Sequence, residues 1–294
     1  MAAVIDVAPG LLAAAHDPGH GLLELDLAVR DGITRLVRRR HRFPLRCTVP
    51  LHLDASRPEL AWIYVQNPTG VVGAGDRLEQ RVTVGPGAMV HLTTPSATKV
   101  LRMVEGSATQ DTTIELAQGA YLEQLPEPVI PQQRSSYEQR TTVRLAAGSA
   151  YVGADVLAPG RVASGEAYAF DRLAVRTAIL GPDGEPLAID AMVVEPRTHA
   201  PARRGALAGT SWCATVVVAG PGRVGPDLAA ELDAIVAADP TPGLVGGAGA
   251  LPHDAGVLVR ALAPSSASAA ALVRALWSAA RVHLIGTPPP RSRK

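Results

Sequence analysis

The chain has 294 residues, of which 47% are hydrophobic but only 3% aromatic, so Val, Leu, Ile and Ala must form a core that suffices for one large domain or two small ones. Its 28 Lys and Arg residues nearly balance 27 Asp and Glu residues, which argues against binding nucleic acid or an anionic membrane through overall charge. Cys47 and Cys213 lie far apart and form no CxxC, which argues against a disulfide framework and a structural zinc site.

The N-terminal segment MAAVIDVAPG differs from a signal peptide, because it has no basic region and carries Asp6 among its apolar residues. Further along, no apolar run reaches the ~18 residues of a membrane span, since Arg274 and Arg281 interrupt the best candidate. The sequence therefore predicts a cytoplasmic protein that does not enter a membrane.

Strands are predicted from residue 22 to about residue 195, where apolar and polar residues alternate. Two hairpins are expected, around Asp31-Gly32 and around Asp183-Gly184, because these residue types accept the positive φ of type I′ turns. Between the hairpins, three similar strand–turn–strand units each carry a glycine at the turn. These glycines are Gly87, Gly119 and Gly148, spaced by 32 and 29 residues. Units of similar size predict strands stacked as in a β-solenoid.

The pattern changes after about residue 220. Residues 225–239 and 265–286 have helical spacing, and residues 255–263 between them return to a strand. We predict a mainly β protein, a helical stack of β strands with two peripheral α-helices, in one domain spanning residues 1–294. Its predicted parts are a β-stack core (20–200), a helix–strand–helix part (225–286) and a disordered tail (287–294).

Three short motifs suggest chemistry but favour structural interpretations. GVVGAGD (70–76) is rich in glycine, yet it lacks the Lys-Ser/Thr of a P-loop and the following helix of a dinucleotide site. RRRHR (38–42) would divide its charges between the two faces of a strand, which favours a solvated strand end over a nucleic-acid site. HDPGH (16–20) contains Pro18 and Gly19, which prevent the helical geometry that would direct both histidines at one metal ion.

The segment TTPSATKVLR (93–102) concentrates hydroxyl and cationic side chains. These are Thr94, Ser96, Thr98, Lys99 and Arg102. The pattern fits a phosphate-binding loop, a nucleophile motif or a solvated sheet edge. A nucleophile at Ser96 with His91 as its base would need an orienting acid that the sequence does not identify.

Five carboxylates occur in apolar, strand-like surroundings: Asp76, Glu123, Asp155, Glu166 and Asp190. A buried carboxylate is unfavourable unless it is paired, hydrated or in contact with a cation. Each one alone is explained well enough as a surface or strand-end acid. Together they are compatible with a hydrated polar path through a β core.

Four motifs, taken in order, resemble the UreD (UreH) family of urease accessory proteins. They are NPTGVVGAGDRL (67–78), PSATK-x2-R (95–102), LP-x2-VI (125–130) and GR-x3-GE (160–166). The resemblance runs from about residue 20 to about residue 200, with a looser similarity over the C-terminal helix. Each motif alone is weak, but their joint occurrence is specific.

The resemblance implies a non-enzymatic scaffold that binds the accessory protein UreF, which recruits the GTPase UreG, and that helps to deliver nickel to apo-urease. It also implies an internal water-filled tunnel for nickel in transit, with no tightly bound cofactor. The positions carried over to this nickel path are Asp76, Asp155 and Asp190, with Glu166 as a fourth. Oxygen ligands and water suit a transient ion, because they bind it weakly enough to release it.

On the same basis, PSATK and Arg161 are expected to be structural or partner-facing, with Lys99 and Arg102 paired to acidic groups or carbonyls that close the strand stack. Two other classes of protein remain open. One is a hydrolase-type enzyme that uses a carboxylate pair, for instance Asp76 and Glu166, as acid and base. The other is a β scaffold with no metal role.

Overall fold

The structure is a computed structural model that describes residues 19–198, 207 and 211–290. The predictions for the N-terminal segment, for His16 of HDPGH and for residues 291–294 of the tail lie outside the described residues. The strands and helices are β1 (His20–Arg30), β2 (Ile33–Arg42), β3 (Arg46–Cys47), β4 (Ala61–Gln66), β5 (Val71–Val72), β6 (Arg77–Val84), β7 (Met89–Thr93), β8 (Thr98–Val100), β9 (Ala108–Leu116), β10 (Tyr121–Leu125), β11 (Val129–Pro131), β12 (Ser136–Leu145), β13 (Ala150–Leu157), β14 (Gly160–Arg161), β15 (Glu166–Ala167), β16 (Arg172–Leu180), β17 (Pro186–Val194), β18 (Trp212–Ala219), α1 (Pro226–Ala237), β19 (Val245–Ala250), β20 (Gly256–Ala263) and α2 (Ser266–Ile285).

The core is a β-solenoid of about four turns, as the repeat predicts. In each coil a long strand leads through a tight turn into a second strand, and the next coil stacks on it in parallel. β6, β9, β12 and β16 form one face, and β7, β10 and β13 form another. Arg77 pairs with Thr109, and Ala108 pairs with Tyr137, so the coils repeat at the spacing of the turn glycines.

The turn glycines themselves stack from coil to coil. Gly87, Gly119 and Gly148 have φ values of 65°, 67° and 66°, in the left-handed region that side chains with a Cβ avoid. The Gly87 N–H donates to the Gln118 carbonyl at 3.1 Å, and the Gly119 N–H donates to the Ala147 carbonyl at 3.2 Å. Glycine at these corners therefore permits both the turn and its bond to the next coil.

Both predicted hairpins are present, but one turn differs from its prediction. Asp31 and Gly32 have φ values of 52° and 76° and join β1 to β2 in a two-residue turn. Between β16 and β17 the loop is longer, and the Gly181 N–H donates to the Glu185 carbonyl at 2.9 Å. The Glu185 carboxylate accepts from the Asp183 N–H at 3.0 Å, which stabilises this wider loop in place of a two-residue turn.

The C-terminal part extends the second sheet and covers its outer face. β18 pairs with β13, β20 pairs with β18, and β19 forms the edge. The sequence pattern missed β19, because VGGAGA has little of the β-branched alternation of a strand. α2 begins at the capping box of Ser265 and Ser268 and ends at Gly286, which has a φ of 76°.

Aliphatic side chains fill both layers of the core, as the low aromatic content requires. The interior of the solenoid buries residues such as Leu25, Val90 and Ile114, and the helices bury Leu232 and Leu276 against the sheet. Within the described chain, neither helix is long and apolar enough to cross a membrane.

Candidate functional site

A row of glutamines interrupts the apolar interior of the solenoid. Gln80, Gln110 and Gln139 come from the adjacent strands β6, β9 and β12. Gln110 lies directly opposite Gln139, whereas Gln80 pairs with Thr112, two positions further along β9. Side chains alternate between the two faces of a strand. Because Leu78 and Val82 on either side of Gln80 are buried in the core, Gln80 also points inward.

These glutamines border a cavity of about 80 Å³, which is enough for several water molecules. Its polar walls include Gln80, Gln110, Gln124, Gln139, Thr93 and Asp155. Thr94, Ser96 and Thr98 of the PSATK region line it as well. The segment TTPSATKVLR (93–102), for which the sequence allowed three interpretations, therefore lies beside this cavity.

Asp155 is the carboxylate of the cavity wall. Gln139 donates from Nε2 to Asp155 Oδ1 at 2.6 Å. Burial raises the pKa of Asp155 to about 6, against the opposing effect of the Gln139 hydrogen bond, and the negative charge of Asp190 raises it further. At neutral pH the carboxyl is therefore mostly ionised, in surroundings that solvate it poorly.

Asp190 reaches the same region from the opposite sheet. Arg260 donates from Nη2 to Asp190 Oδ2 at 2.5 Å and from Nε to Thr215 Oγ1 at 3.3 Å. Thr215 is the β18 residue that pairs with Asp155 of β13. The structure thus brings together Asp155 and Asp190, which are 35 residues apart in the sequence, with Arg260 beside them.

Asp76 and Glu166, the other two carboxylates of the predicted path, have local partners. Asp76 Oδ2 accepts from the Gly73 N–H at 2.7 Å within the turn before β6. Glu166 forms an ion pair with Arg161, with Nε to Oε2 at 2.9 Å, which lowers the pKa of Glu166. Neither residue lines the cavity. Asp76 and Glu166 stand in different coils, so the described residues do not assemble them as an acid–base pair.

The PSATK segment is held mainly by Thr94. Its Oγ1 accepts from the Glu127 N–H at 2.8 Å and donates to the Ser96 carbonyl at 3.2 Å. Lys99 and Arg102 are exposed, and neither forms an ion pair or a side-chain hydrogen bond with a described residue. That the two side chains close the strand stack through such pairs therefore stays a prediction.

A second charged cluster lies on the other side of the second sheet, under α2. Glu123 and Arg281 are both 0% exposed, and Arg281 Nη1 donates to Glu123 Oε1 at 3.2 Å. Arg281 also pairs with Asp54, and His91 Nδ1 lies 2.7 Å from Glu123 Oε2. Burial alone would raise the pKa of Glu123, but the His91 bond and the charges of His91 and Arg281 hold it below its ordinary value. This cluster attaches α2 to the sheet.

Sequence reasoning missed the glutamine row and both arginines. One signal was present: Gln110 and Gln139 are 29 residues apart, the spacing of Gly119 and Gly148. Arg281 appeared only as a charge that interrupts an apolar helix. In the described part of the chain, no group of three or more His, Cys, Asp or Glu side chains is arranged to hold a metal ion.

Fold and site together define a class of protein: a β-solenoid with two helices on one face and a polar cavity inside its coils. A family model described as UreD urease accessory protein matches residues 19–294. The chain is 37% identical over 289 residues to the urease accessory protein UreD of Haloarcula marismortui, covering 96% of this chain and 93% of the relative. It is 36% identical to the urease accessory protein UreD 2 of Streptomyces griseus, covering both chains completely. The chain belongs to the UreD family of urease accessory proteins, which confirms the resemblance seen in its motifs.

Proposed function

We propose that this urease accessory protein is a cytoplasmic maturation factor that binds apo-urease and the accessory proteins UreF and UreG and conducts nickel ions toward the urease active site. The observation that supports this proposal most strongly is the polar cavity inside the solenoid, with Asp155 on its wall and Asp190 close by. An interior of this kind differs from the apolar core of a purely structural β stack, because burying polar groups is unfavourable unless they find hydrogen-bond partners.

The proposed path runs along oxygen-bearing side chains. Nickel, as cargo, enters from the side of Thr94 and Ser96, passes the glutamine row and reaches Asp155. Amide, hydroxyl and carboxylate oxygens hold a divalent ion less tightly than thiolates or imidazoles do. Such a lining allows the hydrated ion to dissociate and continue along the path.

Charge balance near Asp155 supports transit over storage. Asp155 and Asp190 carry two negative charges when ionised, and Arg260 compensates one of them through its bond to Asp190. The remaining single charge attracts a cation within a poorly solvated interior. The proposal assigns the path to Asp155 and Asp190; Asp76 and Glu166, also expected from the resemblance, remain to be tested.

The test is nickel-dependent activation of apo-urease by a complex purified with UreF and UreG. Asp155→Asn and Asp190→Asn should reduce activation at least tenfold, while the complex still forms. Asp155→Asn keeps an oxygen that can accept from Gln139, so the local bond is preserved. Glu166→Gln, which changes a carboxylate paired outside the cavity, is the matched control and should leave nickel delivery unchanged.

Full activation by the Asp155→Asn, Asp190→Asn double variant would contradict nickel conduction and would favour a β scaffold with no metal role. A reduction by Glu166→Gln equal to that by Asp155→Asn would instead contradict the assignment of the path to the cavity.

A further inference from the structure

Apart from the two-residue strand β5, the two large sheets of the described chain end in four edge strands, β2 and β17 on one sheet and β3 and β19 on the other. An edge strand presents unpaired backbone groups that another chain can pair with. Proteins limit this with charged residues, short edge strands or a covering element. The four edges differ in this respect.

Three edges are protected by these means. β2 carries the exposed arginines Arg35, Arg38, Arg39 and Arg40. β3 is only two residues long. β19 lies beside α1, whose Asp233 side chain accepts from the Ala248 N–H at 2.9 Å on the outer side of the strand.

Among the described residues, β17 has neither a charged row nor a short length to protect it, and a proline stands only at its first position. It is nine residues long and contains no Lys or Arg. Ile189 and Val193 are 54% and 56% exposed, and Ala191 between them is exposed on the same face. Its one charged residue, Asp190, faces the opposite way and binds Arg260. In the part of the chain that the structure describes, β17 is thus an open edge with an apolar row along it.

We propose that β17 pairs antiparallel with β17 of a second copy of this chain, with Ala191 at the twofold axis. This register places Ile189 against the second copy's Val193, so that two exposed aliphatic side chains cover each other on each side of the axis. The strand is therefore complementary to itself in its exposed apolar positions, as an interface between identical surfaces requires.

The contact is one strand wide and roughly 30 Å long. That is small beside a standard protein interface, so the dimer should be weak and depend on concentration. The seven-stranded sheets of the two copies become continuous across it.

Sedimentation velocity of the full-length chain from 1 to 100 µM tests this proposal. The wild type should shift from monomer to dimer over this range. Ile189→Lys combined with Val193→Lys should weaken dimerisation at least tenfold, since it introduces the charges that protect other edges. The matched control is Val37→Lys, which changes an exposed apolar residue on the protected edge strand β2 and should leave the dimer unchanged.

A charge placed at the twofold axis tests the register. Ala191→Lys should weaken the dimer at least tenfold, because two like charges would then face each other at the axis. Thermal unfolding of each variant should match that of the wild type, so that loss of the dimer reflects the interface.

Two results would overturn the proposal. One is a wild-type chain that stays monomeric up to 100 µM. If the Lys variant of such a chain also loses binding to apo-urease, the edge strand serves another partner. The other is a dimer that persists in the Ile189→Lys, Val193→Lys variant, since the interface then lies elsewhere.

Discussion

Asp155 lies at the centre of the proposed nickel path, where burial is unfavourable for its charged carboxylate. Folding raises the pKa of this carboxyl to about 6. A carboxyl with a raised pKa favours the folded state at pH values below its unfolded pKa of ~3.9, and this contribution is lost as the pH rises through about 6. At neutral pH the ionised group therefore reduces stability.

Asp155→Asn should stabilise the protein at pH 7.5 by about 1–3 kcal/mol in free energy of unfolding, because it removes a poorly solvated charge. The gain should shrink below pH 6 and largely disappear near pH 4. Urea unfolding at pH 7.5, 6 and 4.5 measures it. Asp183→Asn, in an exposed turn, is the control for the substitution itself and should change the stability at pH 7.5 by less than about 0.5 kcal/mol. A variant of Asp155 less stable than wild type at pH 7.5 would contradict the burial of an ionised Asp155.

The buried charge of Arg281 has the opposite effect on stability, because it compensates two buried carboxylates. Arg281→Ala leaves Glu123 and Asp54 buried without their cation and should lower the free energy of unfolding by about 3–5 kcal/mol. Arg274→Ala, on the exposed side of the same helix, should lower it by less than about 1 kcal/mol. Chemical unfolding compares them, and similar losses for both variants would show that the buried cluster does not anchor α2.

The sequence predicted that buried carboxylates need partners but not which partners they have. Glu123 was recognised as an acid in apolar surroundings, yet Arg281 lies 158 positions further along the chain. Pairs of such separation depend on how α2 packs on the sheet, which local patterns do not encode.

At the scale of elements, the turn glycines determine how the coils stack. Gly119→Ala should lower the free energy of unfolding by about 1–2 kcal/mol, because its φ of 67° is unfavourable for a residue with a Cβ, although the added atom meets nothing within 4 Å. Gly249→Ala, where no left-handed φ occurs and the space is also open, should be neutral or slightly stabilising. Thermal unfolding of the two variants distinguishes backbone strain from packing, and equal effects would contradict the role of the turn.

Elements with strong local signals were predictable. The glycine spacing predicted the parallel coils, and Pro226 and Ser265 lie at the starts of two predicted helices. β19 was not predictable in this way, since its Gly- and Ala-rich strand is defined by pairing with β20 and by its contact with α1.

For the whole molecule, the position of the site follows from the stacking of coils. Gln110 and Gln139 become neighbours because one coil contains 29 residues, and Asp155 meets Asp190 because the two sheets face each other at the last coil. Neither relation is visible in one strand alone. The family resemblance supplied Asp155 and Asp190, whereas the glutamines emerged only with the register.

Nickel, as proposed, passes through the interior of the solenoid. Gln110→Phe should obstruct a cavity of about 80 Å³, whereas Thr109→Phe places the same ring on the opposite face of β9. The most direct measurement is the nickel content of urease after incubation with the nickel-loaded UreG–UreF complex of each variant, with a chelator in the surrounding solution. Wild type and Thr109→Phe should load urease despite the chelator, while Gln110→Phe should form the complex but load at least tenfold less nickel. Equal loading by Gln110→Phe and wild type would contradict passage through the interior.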